Sequence, residues 1–340
     1  MGATRTTDAR TTGVRKAGVR AAAVGVVALT AVLLTGCTAG GGPGGSGSPA
    51  GSATPAAAPT PTPSAVPTAT VPTATVPIID GTTRQAFADL ERRDGARVGV
   101  VAVDTGTGRS LGYRADERFA FASTNKVQIA AAVLAASSPA DLDEVVHYDR
   151  GDLLSHAPVT TPAVDTGLTV RQLVDAAIRQ SDNTAANLLV ERVGGVAGET
   201  RWLRGLGDTT TDVSRTEPDL NTAVPGDRRD TTTPAQSAAD LRAVLLGDAL
   251  DADDRSLLRD SMLGTTTGAS TIRAGVDPSW TVADKTGTAS YGVRNDVAVV
   301  TPPGRDPIVL VVMTAHGAAD AEPSDALVAE AARIAIAHLG

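Results

Sequence analysis

A serine and a lysine with the spacing needed for nucleophilic catalysis lie ahead of an alanine-rich run. Ser123 and Lys126 are three residues apart, and the apolar stretch 127–134 follows them. Ser and Thr are typical residues at a helix start, so we expect Ser123 near the first turn and Lys126 on the same face. The hydroxyl and the amine would then be in contact. Because a desolvated, neutral lysine can take the proton of a serine, the pair predicts a covalent nucleophile with an amine base.

The rarity of lysine strengthens this interpretation. The chain has 30 basic side chains, and only Lys16, Lys126 and Lys285 are lysines. Arginine cannot be deprotonated in proteins and lysine can, so a lysine beside Ser123 in an arginine-rich chain indicates amine chemistry there. The alternative is a surface lysine on an ordinary helix, since a Ser-x-x-Lys tetrapeptide often arises by chance.

Two further motifs follow in the chain. One is Ser181-Asp182-Asn183, between two predicted helices, and the other is Lys285-Thr286-Gly287, at the end of a predicted strand. Each motif alone is typical of a turn or a strand end. Together, the order Ser-x-x-Lys, Ser-Asp-Asn and Lys-Thr-Gly resembles the motif set of the penicillin-recognising serine enzymes.

The segment between these motifs resembles one class within that superfamily. Residues 217–221 resemble the Glu-x-x-Leu-Asn signature of the class A serine β-lactamases, which the D,D-peptidases and β-lactam sensors lack. Further matches lie at 152–160, 229–234 and 263–268, and the resemblance covers about 80–340. It implies hydrolysis of β-lactam antibiotics through an acyl-enzyme. The alternatives are a D,D-peptidase, or a sensor or binding module that is acylated once.

The resemblance implies a role for each motif residue. Ser123 is the implied nucleophile, and Lys126 is a candidate general base held by Asn183. Glu217, with Asn221, is implied to activate the water that hydrolyses the acyl-enzyme. Whether Lys126 or Glu217 activates Ser123 stays open. In members of the class, an ion pair equivalent to Arg215–Asp230 closes the loop that carries Glu217, and the Glu217–Pro218 peptide bond is expected to be cis.

The remaining implied roles concern substrate binding and proton transfer. Ser181 is implied to relay a proton to the lactam nitrogen, and the backbone N–H groups of Ser123 and Thr288 to form an oxyanion hole. The Lys285-Thr286-Gly287-Thr288 segment is implied to hold the substrate carboxylate. An additional arginine for that carboxylate is either Arg273 or Arg294. At the cleft mouth, where many members have an aromatic residue, this chain has His156.

The pattern of elements predicts an α/β (α+β) fold. Helical spacing is seen at 82–94 and 324–339, and strand patterns at 98–103, 110–113, 280–283, 296–300 and 308–313. Residues 123–264 are mostly helix and loop. From the residues alone we expect a mixed sheet built from both ends of the chain, with a helical insert and a cleft between them. The resemblance implies a five-stranded antiparallel sheet flanked by terminal helices, with an α/β part at 78–122 and 265–340 and a helical part at 123–264.

The first 36 residues have the pattern of an export signal. Basic residues precede an uncharged apolar run at 21–34, which is too short for a comfortable membrane span. The run ends in a segment that resembles the lipobox of bacterial lipoproteins and leads to Cys37, the only cysteine. The sequence therefore predicts an exported, actinobacterial-type lipoprotein, anchored to the outer face of the cell membrane through Cys37.

A Gly-, Pro-, Ala- and Thr-rich stretch at 37–77 follows, and its composition predicts a disordered tether. Residues 1–36 hold five of the 30 basic and one of the 38 acidic side chains, so the remainder has a net charge of −12. Such an acidic chain argues against nucleic acid as a partner. We expect a monomer that acts on a small molecule.

Two other patterns predict no further chemistry. Ser110, at the centre of Gly-x-Ser-x-Gly, matches a nucleophile elbow, but it follows a hairpin turn and leads into a strand instead of a helix. The four histidines have no pair at metal-ligand spacing. We therefore expect neither a metal nor another cofactor.

Overall fold

The computed structural model describes residues 79–340, which belong to one compact unit. The predicted signal segment, Cys37 and the tether lie outside the described residues. Within the described part of the chain, no helix has the length and apolar character needed to cross a membrane. The division into an α/β part and a helical part stays a prediction.

Nine strands and eleven α-helices are formed by residues 79–340. The strands are β1 (Ala96–Asp104), β2 (Ser110–Tyr113), β3 (Phe119–Ala120), β4 (Val145–Val146), β5 (Leu168–Thr169), β6 (Thr231–Thr232), β7 (Thr281–Ala289), β8 (Val293–Thr301) and β9 (Ile308–His316). The helices are α1 (Gly81–Asp94), α2 (Lys126–Ala135), α3 (Pro139–Leu142), α4 (Thr160–Ala163), α5 (Val170–Arg179), α6 (Asn183–Arg192), α7 (Gly195–Gly205), α8 (Pro234–Leu245), α9 (Ala252–Leu263), α10 (Ile272–Gly275) and α11 (Asp325–Leu339). Three 3₁₀ turns lie at Ala122–Asn125, Arg150–Asp152 and Asp219–Thr222.

The main sheet has five strands in the order β2-β1-β9-β8-β7, and every pairing is antiparallel. The expectation of a mixed sheet is therefore wrong, and the antiparallel sheet implied by the family resemblance is correct. The physical reason is that β7, β8 and β9 follow one another through short turns, and such turns join antiparallel neighbours. β1 pairs with β9, which brings the two ends of the folded chain into one sheet.

Two apolar cores cover the two faces of this sheet. Alternate residues of β8 point to opposite sides, so Val297 and Val299 join the core formed with α2, α5, α6 and α8, whereas Ala298 and Val300 join the core formed with α1 and α11. The two-residue period of the strand thus accounts for burial on both faces. The terminal helices and the helical segment pack on opposite faces.

Strand β7 is longer than the sequence pattern predicts. The apolar run ends near Ala283, but the strand continues to Ala289 and pairs with β8 along its whole length. Lys285 and Thr286 are buried within it. Because these polar side chains lie in a buried site instead of facing solvent, an apolar pattern does not reveal them as strand residues. The Lys-Thr-Gly motif therefore lies inside the strand and not at its end.

Candidate active site

Ser123 lies in the 3₁₀ turn that leads directly into α2, and only 9% of it is exposed. The turn begins at Ala122, whose φ of 49° lies in the left-handed region. Strand β7 runs close against this turn: a Cβ added at Gly287 would lie 2.9 Å from the carbonyl oxygen of Phe121 and 3.0 Å from the amide nitrogen of Thr124. Glycine at 287 therefore allows the strand to approach the predicted nucleophile.

The Ser123 hydroxyl faces a carboxylate instead of an amine. Ser123 Oγ donates to Glu217 Oε1 at 3.1 Å. Among residues 79–340, no hydrogen bond joins Ser123 Oγ to Lys126 Nζ, so the expected contact between hydroxyl and amine is not a direct hydrogen bond. Lys126 Nζ lies 3.0 Å from the same Glu217 Oε1. One carboxylate oxygen thus bridges the serine and the lysine, because the long Lys126 side chain turns toward residues 181–183 instead of Ser123.

Lys126 is held by a set of oxygens deep in the protein. Its Nζ donates to Asn183 Oδ1 at 2.6 Å and to the carbonyl oxygen and Oγ of Ser181 at 2.8 and 3.3 Å. Burial lowers the pKa of Lys126, while the Glu217 carboxylate opposes that shift. A lowered pKa brings the neutral amine within reach, as a general base requires.

Ser181 connects the two buried lysines. Its Oγ accepts from Lys285 Nζ at 3.0 Å as well as from Lys126. Ser181 lies in the bend between α5 and α6 and adopts a left-handed φ of 56°. Burial lowers the pKa of Lys285 well below its usual value, and the nearby Lys126 adds to the effect. The arrangement is a continuous path for a proton between Lys126, Ser181 and Lys285.

Glu217 is fixed from both its side chain and its backbone. Asn221 Nδ2 donates to Glu217 Oε2 at 2.5 Å. Asn187 holds the Glu217 backbone, donating to its carbonyl oxygen at 2.8 Å and accepting from its N–H at 3.0 Å. Sequence analysis missed Asn187, although its place one turn after Asn183 on α6 puts the two side chains on the same helix face.

The loop that carries Glu217 is closed by the predicted ion pair. Arg215 Nε lies 2.5 Å from Asp230 Oδ2, and Asp230 is fully buried. The Glu217–Pro218 peptide bond is cis, as predicted. Both expectations for this loop are confirmed.

The two arginine candidates lie in different surroundings. Arg294 Nη1 donates to Thr288 Oγ1 at 3.1 Å, and its Nη2 donates to the carbonyl oxygen of Thr267 at 3.0 Å. Each arginine also forms an ion pair: Arg294 Nε lies 2.5 Å from Asp325 Oδ1, and Arg273 Nε lies 2.5 Å from Oδ1 of the buried Asp284. Thr286 Oγ1 lies 2.6 Å from Thr267 Oγ1. Arg294 therefore contacts Thr288 directly and Thr286 only through Thr267, whereas Arg273 contacts neither threonine of the predicted carboxylate site.

His156 lies beside the Ser-Asp-Asn motif. Its Nε2 is 2.9 Å from the carbonyl oxygen of Gln180, and its own carbonyl oxygen accepts from the N–H of Asn183 at 3.0 Å. The side chain is exposed and the residue adopts a left-handed φ of 58°. His156 therefore lies at the surface next to Ser181 and Asn183.

A second buried carboxyl, missed by sequence analysis, lies behind the nucleophile. Asn125, between Ser123 and Lys126 in the chain, donates its Nδ2 to Glu199 Oε1 at 2.5 Å. Burial raises the pKa of Glu199 to about 7, because few polar groups replace the water it loses. Glu199 lies on α7, 74 residues from Asn125, and only the folded chain brings them together.

The Gly-x-Ser-x-Gly pattern and the possible metal ligands remain to be located. Ser110 lies at the start of β2, paired with Val103 of β1, so the elbow pattern is part of a hairpin. Among residues 79–340, no group of three His, Cys, Asp or Glu side chains is arranged to hold a metal ion.

Comparison with known proteins shows the family of the chain. Residues 82–339 match the model of the β-lactamase enzyme family. The chain is 53% identical to a β-lactamase of Amycolatopsis lactamdurans, over 79% of this chain and 88% of that protein, and 51% identical to the β-lactamase AST-1 of Nocardia asteroides, over 79% and 89%.

The chain is also similar to solved structures of β-lactamases. The class A β-lactamase of Clostridium kluyveri is 45% identical and superposes with a TM-score of 0.75, covering 76% of this chain and 99% of that one. The β-lactamase of Streptomyces albus G is 43% identical with a TM-score of 0.75, covering 76% and 100%. With Glu217 in contact with both Ser123 and Lys126, these likenesses lead to one conclusion: the chain belongs to the β-lactamase enzyme family and is a class A serine β-lactamase that hydrolyses β-lactams.

Proposed function

We propose that hydrolysis proceeds through an ester on Ser123, which water activated by Glu217 then removes. The observation that carries this proposal is the position of Glu217 Oε1, 3.1 Å from Ser123 Oγ and 3.0 Å from Lys126 Nζ. A base at this point is within hydrogen-bond reach of the serine proton, and also of a water beside the ester that later forms there. One carboxylate can therefore serve both halves of the reaction.

In the first half, Ser123 Oγ attacks the lactam carbonyl carbon and loses its proton to Glu217 or to neutral Lys126. The C–N bond of the ring then breaks, and the nitrogen takes a proton from the Ser181 hydroxyl. Lys126 and Lys285, both within hydrogen-bond distance of Ser181 Oγ, supply the path that returns this proton. The lowered pKa of each lysine favours such transfer, because it makes the ammonium group a better proton donor.

In the second half, Glu217 takes a proton from water, and the hydroxide attacks the ester carbonyl. Asn221 holds the other oxygen of Glu217 and so orients the carboxylate toward that water. The ester C–O bond breaks and Ser123 recovers its proton, which releases the ring-opened acid. Backbone N–H groups of Ser123 and Thr288 are proposed to stabilise the oxyanion in both halves.

The substrate carboxylate is proposed to bind beside Lys285, at the Thr286 and Thr288 hydroxyls. Of the two candidate arginines we assign Arg294 to this carboxylate, because its Nη1 donates to Thr288 Oγ1 although its Nε is paired with Asp325. Arg273 donates instead to Asp284 and to the carbonyl oxygens of Met262 and Leu263. An arginine fork matches a carboxylate in geometry and charge. We assign to His156 a position at the mouth of the cleft.

The protein is proposed to act as an exported monomer, held at the outer face of the membrane by a lipid on Cys37. The support is the basic and apolar order of residues 1–36 and the single cysteine that follows it. Cys37→Ala is expected to move activity from the membrane fraction to the medium, with the specific activity unchanged. A wild-type protein that is already soluble and carries no lipid would contradict the anchor.

The test of the proposed mechanism is multiple turnover of a penicillin. The purified protein should continue to hydrolyse the drug far beyond one equivalent, and Ser123→Ala should neither turn over nor form an adduct. Ser110→Ala is the matched control, because it removes the other serine with a nucleophile-like pattern and should leave turnover unchanged. A stoichiometric burst without further turnover would support the peptidase or sensor alternative.

A further inference from the structure

A cavity of about 770 Å³ lies beside the loop that carries Glu217, and none of the catalytic or substrate-binding residues proposed above lines it. Residues 223–229 of the loop form one part of its wall. The end of α1, the start of β1, the segment after β2, the turn into β8 and the end of β9 form most of the rest. Its volume lies within the range of small-molecule pockets, roughly 300–1,000 Å³. The cavity is therefore large enough for an organic ligand.

The charge of the cavity is opposite to that of the chain. Its wall contains five arginines and only two acidic side chains, Glu91 and Asp227: the arginines are Arg97, Arg114, Arg118, Arg228 and Arg229. The chain after residue 36 has a net charge of −12. A basic concavity on an acidic protein concentrates positive potential where an anion can bind.

Three of the five arginines form ion pairs with carboxylates. Arg97 pairs with Glu117 at 3.1 Å, Arg114 pairs with Glu91 at 2.7 Å, and Arg229 pairs with Asp227 at 2.7 Å. These pairs shape the wall but leave little charge for a ligand.

The other two arginines have no acidic partner within residues 79–340. Arg118 donates only to neutral groups, including the carbonyl oxygen of Thr210 at 2.6 Å and Thr231 Oγ1 at 3.0 Å. Arg228 is exposed and makes no ion pair or side-chain hydrogen bond in the part of the chain described. Both arginines line the same cavity. Burial and then the repelling positive charge of Arg228 lower the pKa of Arg118, while the carboxylates of Asp212 and Asp208 oppose that shift. A bound anion would relieve this repulsion.

The surroundings narrow the class of anion. Two guanidinium groups on one ligand group favour a dianion over a monovalent carboxylate, and their forked geometry matches phosphate oxygens. Apolar side chains share the wall, among them Val224, which is 47% exposed, and the buried Val293. They provide a surface for carbon atoms that a free inorganic ion lacks.

We propose that this cavity is a second ligand site, which binds an organic phosphate, with Arg118 and Arg228 on the phosphate oxygens and Val224 against the carbon frame. The site is separate from the β-lactam site and does not depend on the mechanism proposed above.

The test is calorimetric titration of the full purified protein with phenyl phosphate at constant ionic strength. We expect one binding site, with phenyl phosphate bound more tightly than inorganic phosphate, which lacks the carbon frame, and than benzoate, which lacks the second charge. Arg228→Glu should weaken phenyl phosphate binding at least about tenfold. Because Arg228 has no partner to lose, the variant should keep its unfolding temperature and its penicillin turnover.

Two control variants identify the site. Arg84→Glu makes the same change of charge at an exposed arginine of α1 that lies outside the cavity, and should leave the affinity unchanged. Arg294→Ala removes an arginine of the β-lactam site, and should also leave it unchanged. The proposal is overturned if the wild type binds no phenyl phosphate, if benzoate binds as tightly, if Arg84→Glu weakens binding as much as Arg228→Glu, or if Arg294→Ala abolishes binding.

Discussion

Replacing Arg215 with serine removes the ion pair that closes the loop carrying Glu217. The partner, Asp230, is fully buried and accepts from three donors near Arg215. Its Oδ1 accepts from the N–H groups of Ser214 and Arg215, both at 2.9 Å, and its Oδ2 accepts from Arg215 Nε at 2.5 Å. The substitution leaves Oδ1 satisfied and Oδ2 without its cation.

The size of the effect follows from this geometry. Breaking a buried ion pair typically costs about 3–5 kcal/mol because the remaining charge is buried without compensation. Two backbone donors stay in place and the Arg215 side chain is 19% exposed, so we expect the lower end, about 3 kcal/mol. For a folded part of this size, the unfolding temperature should fall by about 6–12 °C.

The catalytic effect should be concentrated in deacylation. Glu217 keeps its contacts with Asn187 and Asn221, but the loop around them loses its closure. Because a displacement of about 1 Å can cost about 100-fold in rate, we expect deacylation to slow by between about 10- and 100-fold.

Thermal unfolding and single-turnover kinetics with a good penicillin measure both effects. Arg229→Ser is the matched control, because Arg229 pairs with Asp227 in the same loop, but at the surface, where ion pairs contribute little. Equal loss of stability in the two variants, or unchanged deacylation in Arg215→Ser, would refute the reasoning.

Three further predictions concern the buried groups. Lys126→Arg keeps the charge but removes an amine that can release its proton, so the acylation rate should fall by about 100-fold or more with the fold intact. Near-normal acylation, measured by stopped flow, would mean that Lys126 acts only as a charge. Glu199 holds its proton up to a pH of about 7 in the folded protein but only to 4.5 in the unfolded chain. As the pH rises through that window, the free energy of unfolding of the wild type should fall by up to about 3 kcal/mol relative to that of Glu199→Gln. A difference in unfolding free energy that does not vary with pH would contradict the raised pKa. Arg294→Ala should raise KM for penicillins at least about tenfold. Arg273→Ala should mainly lower the unfolding temperature, because it leaves Asp284 unpaired. A raised KM in Arg273→Ala and an unchanged KM in Arg294→Ala would assign the carboxylate contact to Arg273.

The chemistry of the site was predictable because its residues are rare in this sequence. Lys126 and Lys285 are two of only three lysines, and both lie in short motifs that also contain serine or threonine. Each motif places its reactive groups within a few residues of one another, so it can be recognised from the sequence alone. Glu217 was identified differently, from the resemblance of residues 217–221 to the Glu-x-x-Leu-Asn signature of the class A β-lactamases.

The contacts between these residues were not predictable to the same degree. Helical spacing suggested that Ser123 touches Lys126, whereas both groups meet Glu217, more than 90 residues away in the chain. Asn187 and Glu199 were missed because their partners lie on other elements. Spacing along one helix carries no information on what a neighbouring element presents to it.

Some strands could be predicted from the sequence, and others could not. Apolar runs located β1, β8 and β9, because their side chains are buried on both faces of the sheet. Hydrophobic pattern has no direction, so the expectation of a mixed sheet had no physical basis in it. The polar half of β7 was missed for another reason: Lys285 and Thr286 are buried although they are polar, so a hydrophobic pattern does not mark them as strand residues.

The central claim is that Glu217 activates the water that clears the ester from Ser123, and the direct test is mass spectrometry of Glu217→Ala after mixing with a penicillin. Loss of a general base typically removes about 10²–10⁴ in rate, or roughly 3–5 kcal/mol of barrier, so deacylation should become limiting. We expect a persistent adduct of one drug per chain on the variant, absent in Glu217→Ala combined with Ser123→Ala, and little adduct on the wild type. Turnover by Glu217→Ala at the wild-type rate, with no adduct, would contradict the claim.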